Sequence, residues 1–114
     1  SLERAKAFAE VDDIPVYGTY DDILKDPDVD AIYLATINIT HYDLITRCLK
    51  AKKHVLSEKP MVFTTEEAKT LFALARENNV ILMEAMKALF LPLSVRIKQM
   101  IHQGVIGDLI YMDG

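Results

Sequence analysis

Apolar residues occur along the chain in two patterns, short continuous runs and longer segments with a helical period. Three runs are apolar almost throughout: 30–36 (DAIYLAT), 54–57 (HVLS) and 80–85 (VILMEA). Such runs are typical of parallel strands that are covered on both faces. Two further runs, 15–18 (PVYG) and 109–112 (LIYM), are shorter strand candidates.

Between these runs, apolar positions recur every three or four residues, which predicts helices. The predicted helices cover 2–10, 19–26, 41–52, 66–78 and the stretch from Pro92 to Gly104. Thr64 and Glu67 form a capping-box pattern before the fourth helix, and Gly104 is placed to end the fifth. This alternation predicts an α/β fold, with a parallel sheet and helices on both of its faces.

Polar side chains cluster in the three loops that follow the three buried runs. Ligands of parallel sheets bind beyond the carboxyl ends of the strands, so these loops are predicted to form one site. The candidate residues, in chain order, are Thr36, Asn38, His41, Glu58, Lys59, Glu84 and Lys87.

The loop Glu58-Lys59-Pro60 carries the sharpest chemical signal. A lysine at the mouth of a sheet can donate or accept a proton once burial lowers its pKa. Glu58 could tune that lysine or bind a hydroxyl-rich ligand, and Pro60 stiffens the turn. Taken alone, three residues favour a simpler interpretation, a solvated turn with two charges.

The first loop surrounds the predicted start of a helix. Free N–H groups at a helix start can hold an anion or a carbonyl oxygen, with Thr36, Asn38 and His41 around it. The simpler interpretation is that Asn38 or Thr40 caps the helix.

Composition narrows the possible partners of this chain. The 114 residues carry a formal net charge of -4, which gives no bulk attraction to nucleic acid or anionic lipid. No apolar run approaches the ~20 residues that span a bilayer. Cys48 is the single cysteine, which excludes an internal disulfide and suits the cytoplasm. His54 and His102 lack metal-ligand spacing, so no metal site is predicted.

Basic residues cluster at the end of the third predicted helix. Lys50, Lys52 and Lys53 lie where positive charge favours the helix dipole. We interpret them as a solvated face rather than a nucleic-acid site.

Glycines are few. Dinucleotide-binding folds usually carry G-x-G-x-x-G after their first strand. The four glycines of this chain, at positions 18, 104, 107 and 114, do not form that pattern.

Three motifs together nevertheless resemble one family. Residues 28–44 (DVDAIYLATINITHYDL) are similar to DVDAVYIATPNxxHxxL, and residues 52–71 (KKHVLSEKPMVFTTEEAKTL) to GKHVLCEKPxxxTxxEAxxL. Residues 81–112 resemble a block LMEAxxxRFxP…GxIGxI. These motifs belong to the glucose–fructose oxidoreductase, inositol dehydrogenase and rhizopine-catabolism (Gfo/Idh/MocA) family. Essentially the whole chain is covered, in order and at the right spacings.

The resemblance implies an NAD- or NADP-dependent oxidoreductase that acts on a secondary alcohol of a sugar, polyol or diol. It implies that Lys59 is the active-site lysine. The residues that it implies for cofactor binding are Thr36, Asn38, His41, Glu58, Lys59, Glu84 and Lys87. Two positions depart from the pattern: Ile37 replaces a proline and Leu89 replaces an arginine. Lys87 could supply that cation instead.

The resemblance also implies a partial Rossmann-type sheet that lacks its first two strands. Residues 1–90 would be the C-terminal part of an NAD(P)-binding domain, and residues 91–114 a linker helix and the first strand of a second α/β domain. The chain alone is then expected to be inactive and to bind dinucleotide weakly. The strand at 30–36 would be an edge, expected to be covered by residues 15–18 or by a second copy.

Two other classes of function remain open at this stage. The fold could carry a non-catalytic nucleotide sensor, because a fold does not determine a function. The chain could instead be a self-associating module without a ligand. A small-molecule substrate and a homo-oligomer are the expected partners.

Overall fold

Three short parallel strands form the centre of the molecule. In the computed structural model, which describes residues 2–11, 13–14 and 18–113, the strands are β1 (Ala31–Leu34), β2 (His54–Ser57) and β3 (Leu82–Glu84). They lie in the order β1-β2-β3, with Tyr33 opposite Leu56 and Leu56 opposite Met83. The parallel α/β sheet predicted from the apolar runs is therefore confirmed.

Five α-helices accompany the strands in the described part of the chain. They are α1 (Leu2–Val11), α2 (Tyr20–Lys25), α3 (His41–Lys50), α4 (Thr65–Glu77) and α5 (Pro92–His102). Single 3-10 turns, Asn38–Thr40 and Lys87–Phe90, follow β1 and β3. None of the described helices is long and apolar enough to cross a membrane.

Helix α4 begins as its sequence predicts. The Thr64 hydroxyl accepts a hydrogen bond from the Glu67 N–H, at 3.2 Å, and the Glu67 carboxylate accepts one from the Thr64 N–H, at 3.1 Å. Helix α5 ends before Gly104, whose φ of +70° is the left-handed conformation that glycine adopts at low cost. Both predicted helix boundaries are confirmed.

The core lies between one face of the sheet and helices α3 and α4. Its members are buried apolar side chains from the strands, the helices and, for Met61, the loop between β2 and α4: Leu34, Leu44, Ile45, Cys48, Leu49, Val55, Met61, Leu71, Ala75 and Leu82. Burial raises the pKa of the Cys48 thiol. The single cysteine is thus a core residue.

In the described part of the chain, helices α3 and α4 pack on one face of the sheet. Tyr33, Leu56 and Met83 form a row on the other face and are 59%, 38% and 38% exposed. The physical reason is topological. Right-handed crossovers that step in the same direction along a sheet place their helices on the same side.

The strand predicted at 109–112 is not formed. Residues 109–113 have no regular secondary structure, and Ile110 and Tyr111 are 95% and 80% exposed. A strand needs a hydrogen-bonded neighbour, and no other described segment pairs with this one. The strand predicted at 15–18 falls on residues 15–17, which lie outside the described residues.

The second edge of β1 borders an apolar hollow of about 270 Å³ between α2, β1 and α3. Ile23, Ile32 and Leu44 are among its lining residues. Among the described residues, β1 pairs with β2 alone. Whether another segment or a second copy covers this edge stays a prediction.

Lys53 corrects the expectation of a solvated basic face. Its side chain is buried, and Nζ donates hydrogen bonds to the carbonyl oxygens of Asp26, at 2.6 Å, and Val29, at 2.7 Å. Lys50 and Lys52 are exposed as predicted. The difference arises because the turn after α3 places Lys53 under the loop that leads into β1.

Candidate active site at the carboxyl edge of the sheet

The turn Glu58–Lys59–Pro60 directly follows β2 at the carboxyl edge of the sheet. The Glu58 N–H donates to the Leu34 carbonyl at 2.9 Å, which continues the ladder of β1 and β2. The Lys59–Pro60 peptide bond is cis. The side chain of Lys59 is exposed. The turn therefore presents an amine at the edge where parallel sheets bind ligands.

His41 lies behind this turn and is fully buried. Its Nδ1 is 2.9 Å from the carbonyl oxygen of Pro60, and its Nε2 is 3.1 Å from that of Thr36. Carbonyl oxygens only accept, so both contacts are hydrogen bonds at once when both ring nitrogens carry hydrogen. His41 thus links the loop after β1 to the turn after β2.

Glu84 holds the other side of the turn. One carboxylate oxygen of Glu84, at the end of β3, accepts a hydrogen bond from the Met61 N–H at 2.7 Å. The Ala85 N–H donates to the Ser57 carbonyl at 2.8 Å. The exit of the turn is therefore fixed to the third strand.

Tyr33 contacts the turn from the open face of the sheet. Its hydroxyl donates a hydrogen bond to the Glu58 carboxylate. The other Glu58 oxygen accepts from the Lys59 N–H, at 3.2 Å. These bonds, that of Tyr33 first, hold the pKa of the Glu58 carboxyl below its ordinary value, and nearby Lys59 and His41 add to the effect. The same carboxylate raises the pKa of Tyr33.

A hollow of about 360 Å³ opens beside Glu58 on the same face. Its apolar floor includes Leu56, Met83 and Phe90, and Glu58 and Lys87 place opposite charges on its walls. Such a hollow fits a flat ring that carries polar substituents.

The loop after β1 is linked to the turn through His41, and its threonines bond within the loop. The Thr36 and Thr40 hydroxyl oxygens are 2.9 Å apart, and the Thr40 hydroxyl donates to the Ile37 carbonyl at 2.7 Å. Neither Asn38 nor Thr40 caps the following helix with its side chain, so the simple capping interpretation is wrong. Asn38 is exposed.

The structure thus brings the predicted residues of three loops to one edge, but in two different environments. Lys59, Lys87 and Asn38 are exposed, whereas His41 is buried and Glu84 is bound to the backbone. In the described part of the chain, no cluster of His, Cys, Asp and Glu could hold a metal ion.

Sequence reasoning missed Tyr33. The signal was present, because residues two apart on a strand share a face and Tyr33 pairs with Leu56, two positions before Glu58. The register of β1 and β2 was needed to see it.

Comparison with known proteins agrees with this architecture. Residues 1–86 match the model of an oxidoreductase family with an NAD-binding Rossmann fold, Gfo/Idh/MocA. Trans-1,2-dihydrobenzene-1,2-diol dehydrogenase from Xenopus laevis is 41% identical over 112 residues, which cover 97% of this chain and 34% of that protein. The human protein of the same name is 40% identical over 109 residues, or 95% and 33%.

Solved structures of oxidoreductases have the same fold over nearly the whole of this chain. KijD10, a 3-ketoreductase from Actinomadura kijaniata in complex with NADP and TDP-benzene, superimposes with a TM-score of 0.81 at 38% identity. The match covers 95% of this chain and 33% of that one. An NAD-binding oxidoreductase from Klebsiella pneumoniae gives a TM-score of 0.87 at 29% identity, covering 94% and 29%.

The fold and the site together define part of a Rossmann-type oxidoreductase. The chain belongs to the Gfo/Idh/MocA oxidoreductase family, which binds NAD through a Rossmann fold. It spans about a third of the length of the curated relatives that it matches.

The residues present fit one end of such a cofactor. The hollow beside Glu58 suits a nicotinamide ring and its ribose, since it pairs an apolar floor with charged walls. The sequence contains no glycine-rich turn, so the usual cradle of a pyrophosphate is not among these residues.

Proposed function

We propose that this chain is the part of an NAD(P)-dependent oxidoreductase that carries its active-site lysine. The reaction is hydride transfer between the nicotinamide and a secondary alcohol carbon of a sugar, polyol or diol. Relatives named as a diol dehydrogenase and a 3-ketoreductase support this class of substrate. The observation that carries the proposal is the exposed Lys59 on a turn fixed to all three strands.

Lys59 handles the proton of the reaction in this proposal. A bound nicotinamide supplies the hydride in the direction of reduction and accepts it in the direction of oxidation. During reduction, the Lys59 ammonium donates a proton to the carbonyl oxygen, so that a C=O group becomes CH–OH. During oxidation, Lys59 takes the hydroxyl proton back.

The other predicted residues bind or support the cofactor. Glu58 and Lys87 line the hollow and would contact the cofactor directly. Thr36 and Asn38 belong to the loop after β1, which the resemblance also implies for cofactor binding. His41 and Glu84, which the resemblance also implies as cofactor residues, act through the backbone of the turn. Their hydrogen bonds to the Pro60 carbonyl and the Met61 N–H support this assignment.

Organisation and location are part of the proposal. Residues 1–90 belong to the nucleotide-binding domain and residues 91–114 lead into a second α/β domain. A cytoplasmic enzyme that assembles as a homo-oligomer remains our expectation. The buried, unpaired Cys48 suits a reducing compartment.

The first test is to read the coding DNA on both sides of these 114 residues. An in-frame strand, glycine-rich turn and helix upstream supports the proposal, because it supplies a pyrophosphate site. A start codon immediately before Ser1 and a stop codon after Gly114 would contradict it.

Substitution of Lys59 tests the mechanism. In the protein expressed from its complete coding sequence, Lys59→Ala is expected to reduce turnover at least about a hundredfold, because a proton-transfer group is worth ~10²–10⁴-fold. Cofactor binding, measured by NADH and NADPH fluorescence, is expected to change little. Turnover is measured with a panel of sugars, polyols and diols.

Lys69→Ala is the matched control, since Lys69 is an exposed lysine on α4. It is expected to behave as the wild type. Undiminished turnover in Lys59→Ala would remove Lys59 from the mechanism, and failure of the wild type to bind either dinucleotide would remove the proposed function.

A further inference from the structure

We propose that Tyr33 is a positioning residue, whose hydroxyl fixes the Glu58 carboxylate beside Lys59 through a hydrogen bond across β1 and β2. This inference deepens the proposed function and rests on it. Tyr33 is not among the residues that the sequence motifs imply for the site.

The backbone register brings the two side chains together. Tyr33 lies opposite Leu56 in the β1–β2 pair, and Glu58 follows Leu56 by two positions on the same face. The Glu58 N–H is itself bonded to the Leu34 carbonyl, at 2.9 Å, so the ladder extends to Glu58. Tyr33 therefore reaches the carboxylate along the diagonal between neighbouring strands.

The hydrogen bond leaves the carboxylate little freedom. One oxygen of Glu58 accepts from the Tyr33 hydroxyl and the other accepts from the Lys59 N–H. With both oxygens engaged, the carboxylate is aimed before a ligand enters the adjacent hollow. Ordering a carboxylate in advance lowers the entropy cost of binding.

The hydrogen bond between Tyr33 and Glu58 lies on the open face of the sheet, where the neighbouring side chains Leu56 and Met83 are apolar. Tyr33 is 59% exposed and lies beside Leu56 on the open face, so its ring contributes little to the buried core. The bond to Glu58 gives the hydroxyl a specific purpose at the site.

The charges around Glu58 define the expected pH dependence. Lys59 follows it in the turn, His41 lies behind the turn, and Lys87 faces it across the hollow. Glu84 is a second carboxylate, engaged by the Met61 N–H. Loss of the Tyr33 hydroxyl raises the pKa of Glu58 toward its ordinary value, so Glu58 becomes protonated at a higher pH than in the wild type.

The test is Tyr33→Phe in the protein expressed from its complete coding sequence. The KM for the dinucleotide is expected to rise by about threefold to tenfold, the effect of losing one hydrogen bond, with a smaller change in kcat. The acid limb of the pH profile of kcat/KM is expected to move to higher pH. In a Glu58→Ala background, which leaves the Tyr33 hydroxyl no side-chain oxygen to hold, Tyr33→Phe is expected to have little further effect.

Tyr42→Phe is the matched control, because Tyr42 lies on α3 beside α4 and away from Glu58. It removes the same atom and is expected to leave KM and the pH profile unchanged. Equal effects of Tyr33→Phe in the wild-type and Glu58→Ala backgrounds would overturn the proposal, since Tyr33 would then act on another group.

A second measurement, the titration of Glu58 itself, does not depend on enzymatic activity. NMR titration of carboxyl-labelled glutamate, with Glu58 assigned by Glu58→Gln, is expected to give a higher Glu58 pKa in Tyr33→Phe than in the wild type or Tyr42→Phe. An unchanged Glu58 titration would overturn the proposal. If the wild type binds no dinucleotide, the proposed function fails, and the titration alone decides whether Tyr33 fixes Glu58.

Discussion

Single side chains from three elements hold the turn that carries Lys59. His41 comes from the start of α3, Glu84 from the end of β3 and Tyr33 from β1. Each contacts a different part of the turn: the Pro60 carbonyl, the Met61 N–H and the Glu58 carboxylate. The turn that carries the exposed Lys59 is therefore held by hydrogen bonds from three side chains.

Two substitutions of Glu84 test whether its side chain supports the turn or contacts a ligand. Glu84→Gln keeps an oxygen that can accept from the Met61 N–H, whereas Glu84→Ala removes it. Glu84→Ala is expected to lose about 1–3 kcal/mol of unfolding free energy and most of the turnover, because the N–H is left without its partner. Glu84→Gln is expected to retain most of both. Urea unfolding and steady-state kinetics provide the measurements.

The two variants also distinguish the alternative role of Glu84. If its negative charge contacts the cofactor, Glu84→Gln weakens dinucleotide binding as strongly as Glu84→Ala does. That result would contradict the supporting role and restore direct cofactor contact.

At the scale of elements, the site depends on where helices begin. Helix α4 starts at Thr65, five residues after Pro60, and the capping box of Thr64 and Glu67 fixes this start. The chain that leaves the turn is therefore held at both ends, by Glu84 at Met61 and by the cap at Thr64.

Thr64→Ala is expected to lower the free energy of unfolding by about 1 kcal/mol, the usual cost of losing a threonine cap. Thr70→Ala is the control, because the Thr70 hydroxyl donates to the Glu66 carbonyl within the helix and caps nothing. It is expected to change stability by less than about 0.5 kcal/mol. Chemical denaturation measures both, and equal losses would argue against the cap.

Sequence reasoning was accurate where the signals are local. The capping box at Thr64, the glycine after α5 and the three apolar runs depend on neighbouring residues, and each is confirmed. The convergence of three loops also follows from a general property of parallel sheets. These features require no knowledge of which strand lies next to which.

Errors arose where tertiary partners decide the outcome. Residues 109–112 have an apolar strand composition, but composition does not supply a neighbouring strand. Lys53 is charged, yet two carbonyl groups far along the chain from it make its burial possible. The bond between Tyr33 and Glu58 spans 25 positions and depends on register, which no single run specifies.

The whole molecule is a one-sided sheet in its described part. Helices α3 and α4 bury one face, and Tyr33, Leu56 and Met83 remain accessible on the other. The chain spans about a third of its curated relatives, and it contains the lysine turn without a glycine-rich turn. Under the proposed function, proton transfer and phosphate binding are therefore carried by different stretches of sequence.

This separation predicts weak dinucleotide binding by these 114 residues alone. Pyrophosphate recognition usually contributes several charge-assisted hydrogen bonds of about 1.5–3 kcal/mol each. Without them, a titration of the isolated chain followed by NADH fluorescence is expected to show no saturation below about 1 mM. Saturable micromolar binding would contradict the prediction and indicate a phosphate site within these residues.

The hollow beside Glu58 has one wall held by side chains from three elements and one wall formed by an exposed 3-10 turn. Glu58 belongs to the turn held by Tyr33, His41 and Glu84, whereas Lys87 and Phe90 lie on an exposed 3-10 turn. Substitutions in this 3-10 turn can change the shape of the hollow without moving the turn that carries Lys59. Evolution, or a protein engineer, could thus change how the proposed cofactor is held at the outer wall while the turn that carries Lys59 stays the same.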